Sequence, residues 1–386
     1  MKDFLFTDLI SFVGEAPKKF DGYKKYVSTG AVNGNIIESD DIELVNYSSR
    51  PSRANLVACS GDILFAKMAE TEKTLLLDDE TEKNIYSTGF CAIRAKENII
   101  EPKALYYLLG SSLFLNQKNT NSSGATQRAI TNTGLSKIRI KLPTMEKQRE
   151  FYGIMDKVVN SIELRKKQLG YFDELTKSLF IEMFGDPSTN PKKWVKTPLH
   201  KLCHISSSRR IYQNEQTLQG IPFLRISDLS NLINNGNTKV ELYISEERYE
   251  ELKSKNQVPK SGDILITSRG TLGECYIIKE DDKFYFQDGM ISWMFDFVNY
   301  ILPTYLKYLF DMREFKREIT SRQIGTTVSY LSIEMIKKLQ IMLPNIKLQY
   351  KFSELINKID KSKLAVKKSL EELEILKKSL MQKYFA

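Results

Sequence analysis

The chain has 386 residues, 41% hydrophobic and 27% charged, with four cysteines, a net charge of +9 and a mean hydropathy of −0.34. That length calls for two or more domains, and no apolar run approaches the roughly 18 residues a membrane span needs. The scattered Cys59, Cys91, Cys203 and Cys275 form no CxxC pair and fit a reducing compartment; Met1-Lys2-Asp3-Phe4 lacks a signal-peptide pattern, and the expected location is the cytoplasm. The positive charge suggests a polyanionic partner, but it is spread along the chain: +1 over residues 1–145, 0 over 146–184, +3 over 185–344 and +5 over 345–386. No segment is a basic tail, so a nucleic-acid surface has to be assembled by folding.

In chain order, Lys18, Lys19, Lys24 and Lys25 interleave with Phe20, Tyr23 and Tyr26 in a basic, aromatic stretch. Short strands follow at Asp62 to Phe65, Phe90 to Ile93 and Lys137 to Ile140, each bounded by Gly, Pro, Asn or Ser. A helix is predicted from Pro102 to Phe114, with proline at its start. Residues 1–145 thus read as an α+β globular domain. The period then changes. Phe151, Met155, Val158, Ile162, Arg165, Leu169, Phe172, Thr176, Leu179 and Met183 alternate at spacings of four and three, a heptad seam with polar breaks at Arg165 and Thr176. This helix, 146–184, would run for roughly 57 Å at 1.5 Å per residue. Gly185-Asp186-Pro187 through Trp194 reads as a short exposed connector.

The pattern then returns 201 positions on, across most of each half. Ser60-Gly61-Asp62-Ile63-Leu64 recurs as Ser261-Gly262-Asp263-Ile264-Leu265, Pro102 as Pro303, Leu142-Pro143 as Leu343-Pro344, Gln148 as Gln349, Phe151 as Phe352 and Phe184 as Phe385. Residues 195–344 therefore form a second α+β domain, with strands at Asp263 to Ile266, Ile291 to Met294 and Leu339 to Met342 and a helix from Pro303 to about Arg317. A second long helix fills 345–386, with Phe352, Ile356, Ile359, Lys363, Val366, Leu370, Leu373, Lys377, Leu380 and Tyr384 along its seam. A long helix with one apolar stripe needs a partner. The expected partner is the other copy; the alternative is that each helix folds back on its own globular domain.

Catalytic apparatus is missing from the sequence. No GxxxxGK[ST] loop and no GxGxxG after a strand occurs, and two histidines leave little for acid–base work. Asp281-Asp282-Lys283 reads as a solvated turn, and His200, Cys203 and His204 lie close together but lack a fourth metal ligand. What remains is a reader. Candidate nucleic-acid contacts are Lys24, Lys25, Lys67, Gln127 and Arg128 in the first copy, and Arg209, Arg210, Arg225, Ser268, Arg269, Gln323 and Thr326 in the second. Arginine can pair bidentately with guanine, hydroxyls and lysines reach phosphate, and loops after rigid strands are where such groups are displayed. The frame motifs agree between copies while these loops differ, as two readers of different sequences would.

The duplicated Ser-Gly-Asp-Ile-Leu, the Gly124-Ala125-Thr126 and Gly325-Thr326-Thr327 loops, the Ile138 to Pro143 strand and the Phe184-Gly185-Asp186-Pro187…Trp194 connector resemble the specificity subunit of type I restriction–modification systems, over essentially the whole chain. The resemblance implies two target recognition domains, each reading one half of a bipartite duplex, separated by two long helices packed as an antiparallel coiled coil that sets the spacing. It implies two modification subunits as partners, which hold S-adenosylmethionine and methylate adenine. Restriction subunits can join them for ATP- and Mg-dependent cleavage, and this chain carries no cofactor or activity of its own. The sequence departs from the pattern at its abrupt start and at Ala125. Two other readings stand beside it: the recognition subunit of a related system with a fused methyltransferase–nuclease partner, and a coiled-coil adaptor that does not touch DNA.

Overall fold

The repeated Ser-Gly-Asp segment is a tight turn that delivers a strand into a core. Gly61 and Gly262 take φ of 84° and 90°, a region that favours glycine, and their N–H groups donate to Leu77 O and Ile278 O. The aspartate closes the turn: Asp62 accepts from Cys59 N–H (2.9 Å) and Asp263 from Lys260 N–H (2.8 Å). Strands Ile63–Ala66 and Ile264–Thr267 follow, buried along their whole length. The computed structural model describes residues 1–125, 127–321 and 330–385.

The chain divides into two units, Met1–Lys167 with Lys367–Ala386, and Gln168–Val366. In the first unit, an antiparallel sheet runs Ile10–Phe12, Phe90–Ala95, Ile63–Ala66, Thr74–Leu76, with Phe90 opposite Ala66 and Ile93 opposite Ile63. A second sheet pairs Lys24–Val27 with Glu43–Val45 and, in parallel, with Ile85–Ser87. Lys2–Leu5 pairs with Arg139–Leu142. The second unit has the same plan: His204–Ser207, Ile291–Phe295, Ile264–Thr267 and Cys275–Ile277 form the antiparallel sheet, Ile221–Leu224 runs parallel to Tyr285–Phe286, and Val195–Pro198 pairs with Gln340–Leu343. The α+β reading of both copies therefore holds.

The helix expected from Pro102 to Phe114 is two helices, Pro102–Leu109 and Ser112–Thr120. Gly110 ends the first, and Ser111 starts the second by accepting from Phe114 N–H (3.2 Å). The second copy breaks at extended Met312, between Pro303–Asp311 and Arg313–Ser321. The connector is also more than an exposed link. Trp194 Nε1–H donates to Phe184 O (2.8 Å), and Lys192 Nζ donates to Glu182 O and Met183 O, so the segment folds back and satisfies the last carbonyls of the helix. A Cβ on Gly185 (φ 86°) would meet Pro191 Cγ at 2.8 Å, which is why glycine stands there.

The long helices run Met145–Phe184 and Ile346–Phe385. In the first unit Phe151 stacks on Tyr384 (3.8 Å between ring centroids) and meets Phe385, while Lys166 faces Glu374, so the two segments are antiparallel. In the second unit Phe352 packs against Phe180 and Phe184, and Lys363 pairs with Asp173 at 2.7 Å. Both expectations for the helix partner are met together, because each helix also leans on its own globular part: Phe151 touches Tyr107 and Phe352 touches Tyr308. The seam departs from the predicted heptads near the end of the first helix. Phe180 and Phe184 are the fully buried residues, one position beyond Leu179 and Met183, since they face Tyr305 as well as the other helix. Among the described residues no helix is long and apolar enough to cross a membrane.

The start of each helix is fastened by a buried glutamine. Gln148 accepts from Glu101 N–H (3.0 Å) and donates to Ile99 O (3.0 Å) and Pro143 O (3.2 Å). Gln349 makes the same three bonds with Leu302, Tyr300 and Pro344 at 2.8, 3.1 and 2.9 Å. Replacing either by methionine strands one buried donor and two acceptors; Gln148→Met and Gln349→Met should each lose about 3 kcal/mol in urea melts, while exposed Gln213→Met should leave the melt unchanged.

Candidate nucleic-acid interface

In both units the candidate loops leave one end of the four-stranded antiparallel sheet, on a shared backbone frame. Lys67 N–H donates to Gly89 O (3.0 Å) and Lys67 O accepts from Ile130 N–H (2.8 Å). In the second unit Ser268 N–H donates to Met290 O (2.8 Å) and Ser268 O accepts from Leu331 N–H (2.9 Å), the same bonds 201 residues on. The frame fixes where a side chain starts, and the residue type decides what it offers.

In the first unit the frame opens into a cavity of roughly 360 Å³. It gathers three of the candidate contacts, Lys67, Gln127 and Arg128, with Arg53 and Lys73, which the sequence reading missed, and with Thr29 and Thr88. No acidic side chain lines it among the described residues, so the site suits an anion such as a phosphate. Two cations are held by backbone carbonyls: Lys73 Nζ donates to Thr29 O (2.7 Å), and Arg128 donates to Asn119 O (2.6 Å) and Ser122 O (3.3 Å). Lys73 sits in Glu70-Thr71-Glu72-Lys73, a mixed-charge run with no signal in the sequence, and Arg53 is brought in by Thr88 N–H donating to its carbonyl (2.9 Å). Lys24 and Lys25 do not line the cavity. They lie on the second sheet, Lys24 with its ammonium 5.2 Å from the Phe20 ring centroid and Lys25 exposed.

In the second unit Ser268 corrects the expectation of a contact residue: it is 1% exposed, with its Oγ 2.8 Å from Ser292 Oγ, and belongs to the frame. Its neighbour Arg269 is exposed, with its guanidinium 5.2 Å from the Tyr330 ring centroid. Arg209 and Arg210 leave the same sheet end, because Ser207 pairs with Ser292. Arg209 is exposed and its N–H donates to Tyr285 Oη; Arg210 is paired with Asp288 at 2.8 Å. Arg225 is drawn inward, held by Asp228 (3.2 Å) and Glu241 (3.1 Å), so its charge is already matched. Gln323 and Thr326 lie outside the described residues.

The remaining chemistry-bearing groups are structural. His200 Nδ1 lies 3.0 Å from Lys337 O, His204 stacks on Phe295, and burial pushes the Cys203 thiol up to about 12. Asp282 accepts from Lys279 N–H (2.7 Å) and Tyr276 Oη (3.2 Å), closing the turn at Asp281-Asp282-Lys283.

The type I restriction modification DNA specificity domain matches residues 11–170 and 191–375. A putative type I restriction enzyme specificity subunit of Haemophilus influenzae is 27% identical over 254 residues, covering 62% of this chain and 60% of that one. The MjaVIII specificity subunit of Methanocaldococcus jannaschii is 22% identical over 408 aligned positions, covering 97% of this chain and 89% of the relative. In fold, the chain is similar to one from a study of complex assembly and conformational transition of the type I R-M system, with a TM-score of 0.61 at 21% identity, covering 99% of this chain and 97% of that chain. It is also similar to the type I restriction–modification S subunit of M. genitalium, with a TM-score of 0.59 at 14% identity over 100% of this chain and 96% of the other. The chain belongs to the type I restriction–modification DNA specificity family: it is a specificity subunit, serving DNA target recognition and not itself an enzyme.

Proposed function

We propose that each unit reads one half of a two-part duplex DNA sequence, with the long helices setting the distance between halves and docking two modification subunits. The observation that carries this reading is the pair of sheet ends built on identical backbone bonds but furnished differently: Lys67, Arg53, Lys73 and Arg128 in one, Arg209, Arg210 and Arg269 in the other. Loops that start from a shared frame can be presented alike to a duplex, and different side chains can then select different bases. S-adenosylmethionine, ATP and Mg then belong to the partner subunits. The deciding experiment maps methylated adenines in cells with and without this gene, together with its modification subunit. The expected result is one sequence with two unlike halves at a fixed separation; a single or symmetric site overturns the reading. Removing seven residues from each long helix should shorten the spacer by about three base pairs, at 1.5 Å per residue and 3.4 Å per base pair, without changing either half.

Within these two sets, Arg53 and Arg269 should behave differently. Arg53→Ala is expected to weaken binding to all duplexes alike and to lower the salt slope by about one, whereas Arg269→Ala should relax base preference in one half only, by about 1–3 kcal/mol. Fluorescence anisotropy at several salt concentrations separates the two.

Partner docking is supported by apolar side chains that the helices leave outside. Leu164, Ile375 and Leu376 in the first unit and Tyr171, Leu175 and Leu364 in the second are at least 45% exposed, where a polar surface is the norm for a solvated helix. Leu175 and Leu376 are equivalent by the repeat, so two identical partners can meet the same residue twice. Leu175→Asp and Leu376→Asp should each remove one modification subunit and together both, as read by light scattering of the assembled complex.

A further inference from the structure

Lys118, on helix Ser112–Thr120, is 2% exposed. Its Nζ donates to Ala66 O (3.3 Å), Met68 O (3.1 Å) and Thr71 O (2.6 Å), so each of its three protons meets a carbonyl. Ala66, Met68 and Thr71 all line the cationic cavity. Burial pulls the ammonium down to about 8 while the Glu72 carboxylate pushes it back up, and it stays charged at neutral pH.

The repeat supplies an internal comparison. The residue 201 positions on is Ile319, also buried, and Ala66 corresponds to Thr267. Thr267 Oγ1 donates to Thr271 O and accepts from Glu274 N–H (3.0 Å), so a neutral hydroxyl holds that turn from inside the strand. The two exchanges go together: alanine with a buried lysine in one unit, threonine with a buried isoleucine in the other. Ile319 shows that the position accepts an apolar side chain, which spares the desolvation of a charge. A lysine there acts on the turn.

We propose that Lys118 is a positioning residue: its ammonium grips the 66–71 turn and gives the first unit's cavity its shape, so the base preference of that half alone depends on it. The inference rests on reading the cavity as a DNA contact. It is tested on the full chain by amide hydrogen exchange at a single pH, comparing segment 66–71 with segment 267–272. Lys118→Met should speed exchange in 66–71 at least tenfold and leave 267–272 unchanged. The double variant Ala66→Thr with Lys118→Ile, which installs the second unit's arrangement, should restore protection, and it decides the matter if the methionine variant fails to fold. Enrichment from a randomised duplex pool, with modification subunit present, supplies the functional arm: Lys118→Met should lose preference in one half of the selected sequence and keep the other. Unchanged exchange in 66–71, equal acceleration in both segments, or equal loss in both halves would overturn the proposal. If the unaltered chain enriches no sequence, the DNA-reading assignment fails, while exchange still decides whether Lys118 holds the turn.

Discussion

The buried glutamine at the start of each long helix is the constraint on which the rest depends. An amide side chain has one acceptor and a two-proton donor, and in both units all are used on backbone groups of the globular part. Glu101 and Leu302, whose N–H groups are bound, each precede a helix that begins with proline. The glutamine thus locks the first turn of the long helix to the entry of another helix. Side chains further along inherit that orientation: Tyr107 reaches Asp156 (2.6 Å), and Tyr308 reaches Asp360 (3.5 Å). A bond set that satisfies every partner fixes the angle of each long helix to the globular part it is tied to better than apolar contact alone.

Above that frame the two units are free to diverge. The backbone bonds at Lys67 and Ser268 are the same, yet one residue displays an ammonium at a cavity and the other is buried against Ser292. The aspartates of the repeated turn also differ in their second partner, Arg94 for Asp62 and the Trp293 indole for Asp263. Side chains at these positions can therefore change without disturbing strand pairing, which suits a protein that serves DNA target recognition.

Much of this was legible in the sequence because duplication at a constant offset marks what must stay fixed. Gln148 and Gln349, Phe151 and Phe352, and the Ser-Gly-Asp turns all stood out, and all are frame. Several of the misses depend on contacts that the linear pattern does not show. Lys73 reaches Thr29 and Arg53 is bonded to Thr88 across the fold, and Trp194 caps a helix ten residues back. The helix breaks at Gly110 and Met312 hid inside apolar patterns that run through them. Ser268 stands with Arg269 in the loop directly after the strand, but alternation along an extended segment sends neighbours to opposite sides. Phe180 escaped the heptads because it serves two surfaces at once.

Each unit is finished by residues that belong to the far end of the other repeat's helix. For the first unit that means Tyr384 and Phe385, which close over Phe151. A ribosome makes the first globular part early, but the aromatic lid of its core arrives more than two hundred residues later, after the second unit has received everything it needs. The earlier unit is completed after the later one. Until then Phe151 is left without that cover, so the unfinished chain carries an open apolar seam in the half it has already built.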